Sequence, residues 1–173
     1  MTLRLILIRH AKSAWDDPLL DDHDRTLNER GRRSARALGH WMESHGYLPD
    51  TAYCSTAKRT VETLDLVVAE LSVRPVIDYL PQLYHGSAGT LLAVVNRAQA
   101  PTIAVIAHNP GIGDFASEIV RAAPAHPRFA DYPTGATTVM DFDETSWSSV
   151  RPHSGTVVDF VVPRDLLDKA GED

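Results

Sequence analysis

Two short aliphatic runs without polar alternation, residues 3–8 and 102–107, constrain this chain most. A strand with one wet face alternates apolar and polar side chains. A run that does not alternate needs apolar cover on both faces. Around these two runs the spacing turns helical. A helix is expected from Thr26-Leu27-Asn28-Glu29 to about His45, with Ala35, Leu38, Trp41 and Met42 on one face and Gly46 closing it. Thr26 and Glu29 have capping-box spacing, and Asn28 is the rival cap. Further helices are expected over 57–71 and 87–98, and from Gly113 to about Arg121. Further strands are expected over 51–54, 76–79, 137–142 and 156–162. The last two strands have no helix between them and read as a hairpin-like pair that adds an antiparallel strand. Strand–helix alternation of this kind implies an α/β fold. The expected architecture is a three-layer α/β/α sandwich around a mostly parallel sheet of about six strands.

The 173 residues suit one domain, 1–173, with a polar tail over about 163–173 broken by Leu166-Leu167. Residues 16–24, rich in aspartate, and 122–135, with three prolines, read as loops. Hydrophobic residues at 43% and charged residues at 23% exclude a disordered chain. A net charge of −6 argues against nucleic acid or an anionic membrane as partner. Cys54 is the only cysteine, which rules out an intramolecular disulfide and fits a reducing cytoplasm. The apolar run Leu5 to Ile8 is too short for a signal peptide or a membrane helix.

Parallel sheets bind ligands beyond the carboxyl ends of their strands. Three such ends carry Arg9-His10, then Ser55 to Arg59, then His108-Asn109. Each has a bland reading alone: a basic loop, a surface arginine, a histidine in a turn. Their coincidence at three strand ends in an acidic protein is what singles them out. Arg59 lies in the first turn of its helix, where a cation opposes the helix dipole unless an anion joins it.

Arg9-His10, Arg59 in Ser-x-x-x-Arg-Thr-x-Glu-Thr, and His108 resemble the histidine phosphatase superfamily, with its phosphoglycerate mutase-like fold. Arg9-His10-Ala11-Lys12-Ser13, Asp24-Arg25-x-Leu-Asn-Glu-Arg-Gly31 and Leu83-Tyr84 are similar to its short bacterial branch, the phosphohistidine phosphatases of SixA type. The resemblance spans at least residues 3–120. It implies His10 as nucleophile, with Arg9, Arg59 and His108 binding the phosphoryl group. Lys12, Arg25 and Asn109 follow as further substrate-binding candidates.

The chemistry suits those residue types. Two arginines can clamp phosphoryl oxygens, and a neutral histidine can attack phosphorus once its other nitrogen is held, a backbone carbonyl being the expected partner. A protonated His108 would stabilise the transferring oxygens. No metal and no cofactor is expected, because these cations supply the positive field. The family places a carboxylic acid after the third strand to protonate the leaving group. Here His85 stands at that position, as a possible acid or a bystander.

The expected function is a metal-independent phosphatase acting on a phosphorylated protein, most of all on phosphohistidine. A small-molecule phosphomonoesterase and a silent phospho-binding module are the alternatives. The run Gly111-x-Gly113-x-x-Ala116 fits a dinucleotide loop but starts three residues after its strand, and those glycines read better as a close turn beside the pocket. Asp16 to Asp24 lacks the glycine and terminal glutamate of a calcium loop and reads as a solvated loop or a rim that selects substrates.

Overall fold

The computed structural model describes residues 2–169. Six strands form one sheet: β1 (Leu3–Arg9), β2 (Thr51–Ser55), β3 (Val76–Leu80), β4 (Thr102–Ala107), β5 (Thr137–Phe142) and β6 (Thr156–Val161). Their order is β3-β2-β4-β1-β5-β6. The first four run parallel, β5 is antiparallel to β1, and β6 is antiparallel to β5. One reversed strand thus breaks a parallel sheet, as the missing helix between β5 and β6 implies.

Five helices cover the sheet: α1 (Glu29–His45), α2 (Lys58–Val68), α3 (Ala88–Asn96), α4 (Gly111–Ile119) and α5 (Pro163–Lys169). The non-alternating runs explain themselves here. Leu3, Leu5 and Leu7 of β1 join Ile103 and Val105 of β4 in the core beneath α3 and α4, with Leu91, Val95, Ile112 and Phe115. Ile6, Ile8, Ala104 and Ile106 point the other way, against Leu38 and Met42 of α1 and Leu64 and Val67 of α2. β3 lies at the sheet edge, and Val76 and Tyr79 are exposed there.

Several local expectations shift. Asn28 caps α1, its side chain accepting from the Gly31 N–H at 2.8 Å. Thr26 sits instead in extended chain, where its carbonyl accepts from Ala14. α4 begins at Gly111, two residues early, and ends at Ile119; the Arg121 N–H goes to the Gly155 carbonyl. The expected tail is partly folded: α5 buries Leu167 and half-buries Leu166 against α1 and α2. Residues 170–173 of that tail lie outside the described residues. Among the described residues no helix is long and apolar enough to cross a membrane.

Candidate active site

The carboxyl ends of β1, β2 and β4 are neighbours in the sheet, so the three singled-out segments converge. Arg9, His10, Lys12, Arg25, Arg59, His85, His108 and Asn109 line one cavity of about 540 Å³, together with Ser13, Trp15, Asp22 and Thr134.

His10 follows β1 directly and is buried. Its Nδ1 lies 2.7 Å from the Ala11 carbonyl oxygen. A carbonyl only accepts, so Nδ1 carries the proton and Nε2 keeps a lone pair. The Ala11 N–H is itself tied to the Thr63 hydroxyl on α2 at 3.0 Å. Burial, reinforced by Arg9, Arg59 and Arg25, lowers the His10 pKa to about 3, so the ring is neutral at pH 7.

His108 follows β4, its ring 5.2 Å from that of His10. Its Nε2 meets the Ser55 hydroxyl at 2.7 Å. Burial, then His10 and Arg59, lowers its pKa to about 3 as well. The cationic form expected of His108 is therefore disfavoured by its surroundings, and only an anion set against it would restore that form.

Arg9 donates to the Tyr132 carbonyl at 3.0 Å. Tyr132 holds a left-handed φ of 46°, a cost for a bulky residue. Its buried ring is locked by its hydroxyl, which donates to the Leu7 carbonyl and accepts from the Thr138 hydroxyl. Asn109 gives both amide protons to the carbonyls of Asp131 and Tyr132, and its oxygen accepts from Gly113. It lines the cavity, yet its polar atoms are committed to the loop that holds Arg9. Burial and the nearby Arg59 both lower the Arg9 pKa. Two guanidiniums this close call for a shared anion.

The aspartate-rich loop gives Arg59 an anion that it shares with Arg25 rather than with Arg9. Asp22 pairs with Arg59 at 3.0 Å and with Arg25 at 3.1 Å, and accepts from the Tyr84 hydroxyl at 2.6 Å. Its backbone carbonyl takes a further bond from Arg59 at 2.7 Å. These bonds, led by Tyr84, hold the carboxyl well below the usual carboxylate range. Arg25 also bonds Ser13 at 2.7 Å and stacks 3.4 Å over the Trp15 ring. Sequence reasoning left Asp22 among its neighbours as a rim residue, and gave no role to Ser55, Thr63 or Tyr132. The glutamate beside Arg59, Glu62, accepts from the Leu27 N–H at 3.2 Å and fastens the loop to α2.

Arg9 Nε, Arg59 Nε and His108 Nδ1 are buried without a protein partner. An unpaired buried donor typically costs about 1–3 kcal/mol, so the Nε–H groups of Arg9 and Arg59 are a cost carried by the two guanidiniums that line the cavity. His85 sits on the rim, exposed, with φ 63° and its ring 3.9 Å from that of Tyr84.

Residues 5–84 match the model of the histidine phosphatase superfamily, branch 1. An uncharacterized protein of Mycobacterium tuberculosis is 32% identical over 164 residues, covering 91% of this chain and all of that protein. Among solved structures, one assigned as the phosphohistidine phosphatase SixA of Nakamurella multipartitia superposes with a TM-score of 0.79. It is 28% identical, over 94% of this chain and 97% of that one. The protein histidine phosphatase SixA complexed with tungstate shares the fold, with a TM-score of 0.74 at 23% identity, over 95% of this chain and 99% of that one.

Proposed function

The chain belongs to the histidine phosphatase superfamily, and we propose that within it the protein is a metal-independent phosphohistidine phosphatase. One observation carries the reading most. The Ala11 carbonyl fixes the proton of His10 on Nδ1, in a cavity ringed by Arg9, Arg25, Arg59 and His108. A neutral imidazole with a free Nε2 is a nucleophile at pH 7 without any base to activate it. Arg9 and Arg59 clamp the phosphoryl oxygens, and the dianion draws a proton onto His108, which then donates to the same oxygens. His10 Nε2 attacks phosphorus in line, and the bond from phosphorus to the substrate nitrogen or oxygen breaks. The leaving group departs with the electron pair and takes a proton. Water then attacks the phosphohistidine, inorganic phosphate leaves, and neutral His10 returns.

Asp22 cannot supply the leaving-group proton, because Tyr84, Arg25 and Arg59 stabilise its carboxylate. His85 on the rim and solvent are the remaining sources. An imidazole leaving group needs such help less than an alkoxide does, which favours phosphohistidine over a phosphomonoester. A protein substrate also fits the surroundings: Trp15, which lines the cavity, is 77% exposed, and Leu19 of the same loop is 92% exposed. The lone thiol, Cys54, is buried and free, in keeping with a cytoplasmic setting.

The test is a hydrolysis screen of phosphohistidine peptides against phosphoserine peptides and sugar phosphates, with acid-labile phosphoenzyme measured in parallel. Phosphohistidine should be turned over fastest, and His10→Ala should lose both turnover and phosphoenzyme while keeping its circular dichroism. Faster turnover of a sugar phosphate would replace the substrate reading. Turnover by His10→Ala above a few per cent would remove His10 from its role.

A further inference from the structure

A second cleft opens beside the phosphoryl cavity. It has a volume of about 250 Å³ and is lined by Lys12, Arg30, Arg128 and Arg164 among smaller residues. Lys12 and Thr134 line both hollows, so the two adjoin. Four cations meet here in a chain of net charge −6. The described residues that line the cleft include no carboxylate, and Arg128 is paired at 2.9 Å with the neighbouring Asp131.

The cations are placed by the backbone rather than by chance crowding. A Cβ on Gly31 would fall 2.0 Å from the Lys12 carbonyl oxygen, so the first turn of α1 lies directly on the chain at Lys12. The Asn28 N–H donates to that same carbonyl at 3.0 Å. Arg30 is thereby fixed beside Lys12. Arg164 arrives from the start of α5, and Arg128 from the loop that also carries the Tyr132 carbonyl behind Arg9. Four separate segments bring positive charge to one strip beside the cavity that holds His10.

We propose that this cleft receives acidic residues flanking the phosphorylated side chain, making the enzyme selective for phosphoproteins with a carboxylate-rich segment beside the phosphohistidine. This rests on the phosphohistidine reading above. Charge complementarity at a rim steers encounter and sorts partners more than it adds raw affinity. The cleft therefore acts on KM and on salt dependence, and leaves the chemical step at His10 untouched.

The test compares two phosphohistidine peptides, one with Asp/Glu flanks and one with neutral flanks, and uses p-nitrophenyl phosphate as a small control. The wild-type protein should show a lower KM for the acidic peptide, and the difference should shrink as salt rises. Arg30→Glu combined with Arg164→Glu should raise that KM about tenfold, the sum expected of two exposed ion pairs turned repulsive. The neutral peptide and p-nitrophenyl phosphate should be unaffected. Arg30→Glu alone should give part of the effect, and it puts an acid in the first turn of α1, where the helix dipole favours one. Equal KM values for the two peptides in the wild type would overturn the cleft's role and leave the phosphatase reading standing. A preference for the acidic peptide that survives in both variants would do the same. Selective loss of a small bisphosphate substrate in the variants, with peptides unaffected, would replace the peptide by a second phosphate as occupant. Turnover of p-nitrophenyl phosphate with neither peptide hydrolysed would overturn the phosphohistidine reading itself, and this proposal with it.

Discussion

Two imidazoles buried beside guanidiniums set the pH behaviour of this protein. His10 and His108 both titrate near 3 in the folded chain, against about 6.5 when unfolded. Between those values the unfolded chain binds protons that the folded chain refuses. Stability is therefore full above about pH 6.5 and falls as pH drops toward 3, by up to about 1.4 kcal/mol per pH unit for each ring. The urea midpoint should be lower at pH 5 than at pH 7, and the ring protons of both histidines should show neutral shifts in NMR spectra at pH 5.5. Cationic shifts at that pH would contradict the burial argument. Asp22 offers a second test, since its carboxylate already occupies the guanidinium edge of Arg59. An incoming oxyanion must compete with it. Asp22→Asn should bind tungstate about tenfold more tightly, an effect of the size expected when one charge-assisted contact is weakened. A weaker inhibition constant would show that Asp22 mainly positions Arg59 and Arg25 for the ligand. His85 belongs here too. If it protonates the leaving group, His85→Ala should slow ester hydrolysis by about 10²-fold or more while barely affecting phosphohistidine. Equal small effects on both substrates would make it a bystander.

At the scale of elements, close backbone approaches hold the strand ends in register with one another. A Cβ on Gly111 would lie 1.9 Å from the Gly86 carbonyl oxygen, so α4 starts directly against the chain next to His85. Of the two glycines that resemble a dinucleotide loop, Gly111 serves this contact and Gly113 lies against Asn109 and Tyr132. Gly111→Ala must push the segment bearing His85 away, at a cost of about 1–3 kcal/mol. A Cβ on Gly89 in α3 would meet only the Ser87 hydroxyl, at an ordinary contact distance of 3.7 Å. Gly89→Ala should instead stabilise by about 0.5 kcal/mol through helix propensity. Opposite shifts in urea midpoint would confirm the distinction, and equal shifts would refute it. The α2 start shows the same economy: an arginine in a first turn opposes the dipole, and the Asp22 carboxylate offsets it.

For the whole molecule, two apolar layers on opposite faces of one sheet leave its carboxyl edge as the polar surface where chemistry can sit. The positive field there comes from Arg9, Arg25, Arg59 and Lys12, since His10 and His108 are neutral at pH 7. Activity should accordingly persist in a strong chelator and be inhibited by tungstate. Loss on chelation with rescue by a divalent ion would return the Asp16–Asp24 loop to consideration as a cation site. The order of strands and helices was legible from residues 3–8 and 102–107, because burial on both faces leaves no room for polar alternation. The basic strand ends were legible because parallel topology dictates where ligands go. Helix ends drifted by two or three residues, since a contact such as Gly111 against Gly86 decides where α4 begins. α5 was missed because its apolar content is two leucines, and only the fold buries Leu167 and packs Leu166 against the core beneath α1 and α2.

Local sequence determined which side chains stand at the end of β1: Arg9 closes the strand, His10 follows it, and the carbonyl that holds the tautomer of His10, the proposed nucleophile, belongs to the next residue, Ala11. It could not single out Asp22 from Asp16, Asp17, Asp21 and Asp24, which share its composition and its loop. Only the fold sets Asp22 opposite Arg59, 37 residues on, and brings Tyr84 from 62 residues away to the same oxygen. Nor could it gather Lys12, Arg30, Arg128 and Arg164 into one cleft. Short-range patterns record what a residue and its neighbours prefer. Electrostatic partners depend on distances through space, and those exist only once the sheet has brought distant segments together.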